Sequence, residues 1–192
     1  MKKSVFAIAI AAALGTTTLS AQELNYDYIE VGYTAMDADG LEVDGIGANF
    51  SVSLTDDIFL ISSIQDLESD EIFGAKLDLQ TYSVGLGYRA GLSDVTDATF
   101  SASWMRGEID GNNFGLGSYS GTGYDLSVGL RHLLAPQLEL AGNVTYSDFE
   151  GADGTGLEIG ALYHITPVIS VGVGYNVADE SDGWKAGVRL NF

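Results

Sequence analysis

Histidine is the side chain best suited to acid–base chemistry near neutral pH, and the sequence contains two. His132 lies four residues before Pro136, and His164 lies three residues before Pro167, so each is beside a short predicted turn. A general base must reach its substrate, and none of the longer predicted loops contains a histidine. The sequence therefore predicts no enzyme, no catalytic residue and no bound cofactor.

Acidic residues near glycine form four small clusters that could offer oxygen ligands to a hard cation. The clusters are Asp37 with Asp39, Asp110 with Asn112, Glu150 with Asp153, and Asp179 with Glu180 and Asp182. None of them matches the twelve-residue calcium-loop pattern. Because Asp and Asn beside Gly are also ordinary turn residues, we expect solvated loops with a diffuse attraction for divalent ions and no specific metal site.

The elements that position these residues are strands, because apolar and polar residues alternate along most of the chain. In residues 184–192 the even positions are Trp, Ala, Val, Leu and Phe, and the odd positions are Lys, Gly, Arg and Asn. Successive side chains of a strand point to opposite faces, so this segment has one apolar and one polar face. Ten such segments predict an all-β fold, a ten-stranded antiparallel transmembrane barrel, with eight strands as the alternative.

The predicted connections alternate in length. The first strand runs from about Asn25 to Ala35, and longer acidic loops follow the odd-numbered strands at 37–40, 68–74, 109–121, 149–154 and 178–183. Short turns follow the even-numbered strands. This alternation places all the long connections at one end of the predicted barrel.

Glycine, serine, threonine and asparagine fill the polar face, whereas bulky residues fill the other. Small side chains suit a crowded inner wall, so the bulky face is predicted to meet lipid. Eight charged residues occupy the alternate strand positions whose side chains are predicted to point into the barrel: Glu30, Arg89, Asp125, Arg131, Glu139, Glu158, Lys185 and Arg189. Buried charges must pair or meet water, and the sequence leaves open an ion-pair network that plugs the lumen and a charged lining of a narrow water path.

One of these pairs can be specified further. Arg131 and Glu139 flank the turn at Leu134-Ala135-Pro136. If Leu133 pairs with Gln137, antiparallel register places Arg131 directly opposite Glu139, and a register shifted by two makes them diagonal neighbours. Either arrangement predicts an ion pair.

The N-terminus resembles a secretory signal peptide. Lys2 and Lys3 precede an apolar run, Val5 to Leu14, and a small-residue cleavage site at Leu19-Ser20-Ala21. We expect a signal peptide at 1–21 and the barrel at 22–192. The barrel then carries six basic and 27 acidic residues, a net charge of −21, which excludes nucleic acid as a partner.

Four features of the sequence carry a resemblance to a known family. Val84-Gly85-Leu86-Gly87-Tyr88, Val171-Gly172-Val173-Gly174-Tyr175 and the terminal Phe192 resemble the hairpins of small OmpA/OmpX-type outer-membrane barrels and porin-family proteins. Asn25-Tyr26-Asp27-Tyr28 followed by Ile29-Glu30-Val31-Gly32-Tyr33 is similar to the opening strand of a ten-stranded subgroup. The resemblance implies the outer membrane, periplasmic termini, and recognition of Phe192 by the barrel-assembly machinery.

The expected function is a porin-like or structural barrel with at most a narrow path for water, ions or small solutes. The alternative is a surface interaction protein that acts through acidic extracellular loops. Outer-membrane lipids and lipopolysaccharide are the expected surroundings. Arg106 shares the apolar parity with Trp104, so we expect Arg106 at the outer interface, either bound to a lipopolysaccharide phosphate or snorkelling without a specific partner.

Overall fold

The computed structural model describes residues 23–38, 40–71, 76–110, 117–179 and 181–192, so the predicted signal peptide lies outside the described residues. These residues form ten strands. In chain order they are β1 (Tyr28–Ala38), β2 (Leu41–Ser53), β3 (Ile58–Ser69), β4 (Asp78–Ser93), β5 (Thr96–Asp110), β6 (Ser118–Ala135), β7 (Leu138–Phe149), β8 (Ala152–His164), β9 (Ile169–Ala178) and β10 (Ser181–Asn191).

The strands close into a barrel. Each pairs antiparallel with its neighbours in sequence, and β1 closes the sheet against β10 from Tyr28–Asn191 to Ala38–Ser181. The predicted ten-stranded antiparallel barrel is confirmed, and the eight-stranded alternative is wrong. Closure leaves no unpaired strand edge. Among the described residues, no helix has the length and hydropathy to cross a membrane.

The barrel has two distinct ends. The terminal end carries residues 23–27, Phe192 and the turns at 54–57, 94–95, 136–137 and 165–168, and the far end carries the other five connections. Three of the predicted long loops are wrong, because only two residues separate β1 from β2, β7 from β8 and β9 from β10. The acidic residues and glycines that suggested loops belong to the paired strands instead. Their side chains can remain in water at the end of the barrel while their backbone groups keep the hydrogen bonds of the sheet.

The β7–β8 hairpin shows how such a turn is made. Glu150 has φ 54° and Gly151 has φ 84°, so both central residues are in the left-handed region. A two-residue turn with this geometry matches the right-handed twist of the strands that it joins. Glycine adopts that region without cost, whereas Glu150 carries some backbone strain.

Bulky apolar side chains cover the outer wall. Val84, Leu86, Leu126, Val128 and Ile159 all lie on this exposed face. Aromatic residues gather towards both ends: Trp184 packs against Tyr33 on the far-end side, and Phe192 packs against Phe50 at the terminal end. An apolar band between two aromatic girdles is the surface that a membrane-spanning barrel presents.

The chain before β1 differs from the prediction. Residues 23–27 are not part of a strand; they bury Leu24 and Tyr26 inside the terminal end of the barrel. The segment is still attached to the wall, because Ser53 N donates to Asp27 Oδ1 and Phe192 N donates to Asp27 O. The predicted start at about Asn25 is wrong: β1 begins at Tyr28, and Leu24 and Tyr26 are buried against Phe59 and Leu133, which removes their apolar surface from water.

Candidate functional site

A cluster of buried, mainly apolar side chains lies in the lumen at its terminal end. Leu24, Tyr26, Phe59 and Leu133 form one buried cluster, and the partly buried Ile61 packs against it. Phe59 and Ile61 project inward from β3, and Leu133 projects inward from β6. Gly87 makes room for the Phe59 ring, since a Cβ at position 87 would overlap that ring. We call Leu24, Tyr26, Phe59 and Leu133 the terminal plug.

Tyr26 is the centre of the terminal plug and is only 3% exposed. Its ring centroid lies 4.7 Å from that of Phe59, and the guanidinium carbons of Arg131 and Arg89 lie 4.3 Å and 5.0 Å from the Tyr26 ring centroid. The phenol Oη donates to Asp97 Oδ2 over 3.0 Å. Burial raises the pKa of the Tyr26 phenol well above its ordinary value, the positive charge of Arg131 opposes that shift, and the Asp97 carboxylate adds to it.

Arg131 links the terminal plug to the barrel wall. Its Nε donates to Glu139 Oε1 over 2.7 Å and its Nη2 donates to Glu139 Oε2 over 3.0 Å, so the expected ion pair is present and bidentate. Its Nη1 donates to the carbonyl of Asn25 over 2.9 Å. The three nitrogens of one planar guanidinium therefore connect β6 to both β7 and the N-terminal segment.

The register that produces this ion pair differs from the first of the two predicted registers. Leu133 pairs with Glu139 rather than Gln137, and Arg131 faces Ala141, so the ion pair is diagonal. The pairing shifts between Leu133 and Ala135, just before Pro136. Proline has no N–H to donate, which favours such an irregularity at the turn.

His164 extends the network from Glu139 towards the C-terminal strand. Its Nδ1 is 2.8 Å from Ser170 Oγ, and its Nε2 is 3.7 Å from Glu139 Oε2, too far for a hydrogen bond. The Asn191 amide nitrogen also lies 3.3 Å from Ser170 Oγ. Ser, His and Glu in this order are the groups of a hydrolase triad. However, Ser170 is 0% exposed, so no substrate can approach its hydroxyl, and the cluster ties β7, β8, β9 and β10 together.

Two further ion pairs lie in the lumen, closer to the far end of the barrel. Glu30 and Arg189 are direct partners across β1 and β10, with 2.7 Å between Arg189 Nη2 and Glu30 Oε2. The Arg189 guanidinium also stacks 3.9 Å from the Tyr28 ring centroid. Lys185 Nζ is 2.7 Å from Glu158 Oε1, and this pair bridges from β10 to β8 over β9.

Two polar cavities adjoin these ion pairs. One has a volume of about 390 Å³ and is lined by residues of β1–β3 and β7–β10. The other has a volume of about 430 Å³ and reaches Tyr26 and Phe59 of the terminal plug. Both are lined by Glu30, Arg189, Glu158 and Lys185, so the two ion pairs lie between the cavities. Serine, threonine, asparagine and glycine supply about half of the remaining lining. Space of this size with polar walls holds water.

The structure places all eight predicted lumen charges on inward-facing positions. Six of them form the three ion pairs described above. Arg89 donates from Nε to the carbonyl of Asp56 beside the terminal plug, and Asp125 accepts a 2.6 Å hydrogen bond from Ser147 Oγ in the larger cavity. Within the described ranges, no group of three or more His, Asp or Glu side chains is arranged to hold a metal ion.

The three predicted residues outside the lumen lie on the outer wall. Trp104 and Arg106 project outward from β5, and Arg106 forms an ion pair with Glu108, with 2.6 Å between Nη2 and Oε1. Phe192 is exposed at the terminal end beside Phe50. Contact of Arg106 with lipopolysaccharide and recognition of Phe192 during assembly remain predictions.

The terminal plug is the feature that sequence reasoning missed. Tyr26 and Phe59 share the parity of the small polar residues on their segments, and aromatic residues at inward positions near a strand end were the available signal. Ser170 and Asp97 were also missed, because a single serine or aspartate at an inward position looks like any other lumen residue.

The outer membrane protein beta-barrel domain model matches residues 6–164. No curated protein sequence matches the chain. Among solved structures, the β domain of the Bordetella autotransporter Brka is similar, with a TM-score of 0.56 at 12% identity over 86% of this chain and 98% of that chain. The NanC porin is similar with a TM-score of 0.51 at 10% identity over 85% of this chain and 100% of that one.

A third similar structure is Ail, the attachment invasion locus protein of Yersinia pestis, with a TM-score of 0.43 at 15% identity over 88% of this chain and 100% of that chain. At these identities the Brka and NanC structures show the barrel fold alone. The family model covers most of the chain, including β1 to β8. The chain therefore belongs to the outer membrane protein β-barrel domain family.

Proposed function

We propose that the chain is an integral outer-membrane barrel with a porin-like lumen that the terminal plug keeps closed or nearly closed. Residues 1–21 act as the signal peptide, the mature barrel spans the bilayer, and both termini face the periplasm. The lumen is then filled with water from the cell exterior. Passage to the periplasm is limited to water, ions or very small solutes, and the chain carries out no catalysis.

The outer wall supports insertion in the bilayer. Its exposed Val, Leu and Ile side chains lie between aromatic residues at both ends, and in water such a surface would cause aggregation. The lengths of the connections support the orientation. The two longest connections, 70–77 and 111–117, lie at the far end, and outer-membrane barrels carry their longer loops on the extracellular side.

The contact of Tyr26 with Phe59, Arg89 and Arg131 is the observation that carries the proposal for the lumen. Above this contact the lumen has two polar cavities; at it, the barrel is filled by aromatic and apolar side chains. A ten-stranded barrel is wider than an eight-stranded one. Side chains just fill the interior of an eight-stranded barrel. The extra width leaves room for water, and the terminal plug closes it at one end.

Planar-bilayer conductance tests this proposal. The wild-type barrel should conduct poorly, and Tyr26→Ala should raise the single-channel conductance several-fold because it removes the side chain that fills the terminal end. Tyr88→Ala is the matched control, since Tyr88 is a tyrosine near the same end but on the outer wall. Heat-modified electrophoretic mobility would show that both variants remain folded barrels.

Equal conductance of wild type, Tyr26→Ala and Tyr88→Ala would contradict a plugged lumen. Removal of Arg89 or Arg131 gives a second test, because each guanidinium stacks on the Tyr26 ring. Loss of either cation should raise the conductance less than loss of Tyr26, since the aromatic ring itself stays in the lumen.

A surface interaction role is the second candidate, and the β5–β6 hairpin favours it. This hairpin extends past β7, whose last residue, Phe149, pairs with Gly123, and it exposes the cross-strand pair Ile109 and Tyr119. Replacing both residues with serine should abolish adhesion of expressing cells to a surface partner and leave conductance unchanged. Unchanged adhesion would remove the support for this role.

A further inference from the structure

The outer wall carries an apolar groove across β1 to β5. Its floor is formed by Ala48 and Ser62, and its walls by Phe50, Ile64, Tyr82 and Trp104, with a volume of about 370 Å³. Almost all of the accessible lining is apolar.

Two small residues in neighbouring strands create the groove. Ala48 faces Ile64 across β2 and β3, and Ser62 lies between Phe50 of β2 and Val84 of β4. A serine on a lipid-facing wall needs a partner for its hydroxyl. Ser62 Oγ donates to the carbonyl of Ser83 over 2.9 Å, so the groove floor presents little unsatisfied polarity to a hydrocarbon chain.

A cation lies at the far-end edge of the groove. Arg106 is the direct cross-strand partner of Tyr82 and lies two residues beyond Trp104. Tyr82 and Trp104 line the groove. Arg106 is half exposed. Among the described strand residues, it is the one lysine or arginine on the outer wall. The other four, Arg89, Arg131, Lys185 and Arg189, project into the lumen.

We infer that this groove binds one lipid A molecule of the outer leaflet, with an acyl chain along Ala48 and Ser62 and a glucosamine phosphate at Arg106. The inference rests on the proposed orientation, which places the far end in the leaflet that contains lipopolysaccharide. An Arg guanidinium suits a phosphate because its planar N–H groups bind two oxygens at once. Trp104 and Tyr82 lie at the depth where an acyl chain meets a sugar headgroup.

Glu108 shapes the headgroup site. Arg106 Nε and Nη2 both donate to Glu108 Oε1, over 3.0 Å and 2.6 Å, so the Nη1 donors stay available to a phosphate. The carboxylate also offers an oxygen to a divalent cation that bridges it to that phosphate. A multiply phosphorylated lipid with bound divalent ions fits this combination better than a phospholipid with a single phosphate.

Native mass spectrometry of the mature barrel with hexa-acylated, bisphosphorylated lipid A in detergent tests the site. Ala48→Leu fills the groove floor and should weaken lipid A binding about tenfold. Ala102→Leu is the matched control: Ala102 is also an outward alanine, between Leu86 and Leu126, and it lies outside the groove. Arg106→Gln should weaken binding by a similar factor, and Lys76→Gln, which removes a far-end cation paired with Glu68, should not.

The site is overturned if Ala48→Leu and Ala102→Leu bind lipid A equally, or if Arg106→Gln and Lys76→Gln do. Equal affinity for phosphatidylglycerol would overturn the choice of lipid A. Labelling of Ser181→Cys on intact cells separates this inference from the proposed function, because Ser181 lies at the far end. If the cysteine is labelled but Ala48→Leu binds lipid A as well as wild type, the lipid site alone is overturned. If the cysteine is not labelled, the orientation on which the lipid site rests is overturned.

Discussion

Arg131 holds Glu139 through two parallel hydrogen bonds although the two residues are diagonal neighbours on β6 and β7. The Arg131 side chain is long enough to reach from its own cross-strand position to the diagonal one. Its planar guanidinium keeps both N–H donors aligned with the carboxylate. Glu139 is 3% exposed, and Tyr26 covers the other face of the guanidinium. The ion pair is therefore largely buried, although both residues border the larger cavity.

A double-mutant cycle on this pair should show strong coupling. Arg131→Met leaves the Glu139 carboxylate buried without its cation, and Glu139→Met leaves the guanidinium without its anion. Each single change should lower the free energy of unfolding by about 3 kcal/mol, and the double change by clearly less than the sum. Urea titration of the refolded barrel in lipid vesicles measures all four free energies. Additive losses would show that the two charges do not depend on each other.

Lys185 and Glu158 provide the contrasting pair within the same lumen. They are separated by a similar distance, but their side chains are 38% and 34% exposed. Water and salt screen such a pair, so the same cycle with methionine should give a coupling below about 1 kcal/mol. A coupling as large as that of Arg131 and Glu139 would mean that the lumen is dry at this level, contrary to the two polar cavities.

Gly87→Ala should loosen the terminal plug without removing any of its members. The new methyl group would overlap the Phe59 ring, which must move away from Tyr26. Overpacking of this kind costs about 1–3 kcal/mol, and the displaced ring should increase single-channel conductance. Gly156→Ala is the matched control, since its Cβ would meet its nearest atoms at 3.6 Å. Identical conductance of the two variants would show that Phe59 does not help to close the lumen.

The wall of the barrel could be predicted because its pattern is simple. Every strand alternates between lipid-facing and lumen-facing residues, so parity alone places Val84 and Leu126 outside and Asn49 and Asn143 inside. Strand ends were harder to predict. Above the apolar band both faces are solvated, alternation disappears, and acidic residues such as Asp153 and Asp182 are as compatible with a hairpin as with a loop.

The terminal plug could not be predicted by the same logic. The alternation of side chains predicts that Tyr26 and Phe59 face inward. It does not predict their contact, because the relative position of their two segments depends on the curvature of the closed barrel. The register of Arg131 and Glu139 was uncertain for a local reason. The irregularity before Pro136 adds one residue to one strand, and a pattern with period two gives no information about such an insertion.

Tyr26 should make the stability of the barrel sensitive to alkaline pH. Burial raises the pKa of its phenol above the ordinary value of 10.0, and Asp97 raises it further, while Arg131 opposes the shift. The folded state thus holds the proton more tightly than the unfolded state, so the stabilisation is fully present below pH 10.0 and is lost as the pH rises above it. The unfolding free energy of wild type should fall more than that of Tyr26→Phe as the pH rises above about 10. Parallel curves for the two proteins would contradict the burial of this phenol.

Val128 and Ser127 test which face of the wall meets lipid, because they are neighbours on β6 that point in opposite directions. Val128 is 48% exposed on the outer wall, and Ser127 lines the larger lumen cavity near Asp125. Val128→Lys places a charge in the hydrocarbon and should cost about 2–4 kcal/mol in a bilayer. Ser127→Lys places the same charge in the polar lumen, where the Asp125 carboxylate can accept it, and should cost much less. Both free energies come from reversible unfolding in vesicles, and a larger loss for Ser127→Lys would mean that the lipid and lumen faces are assigned the wrong way round.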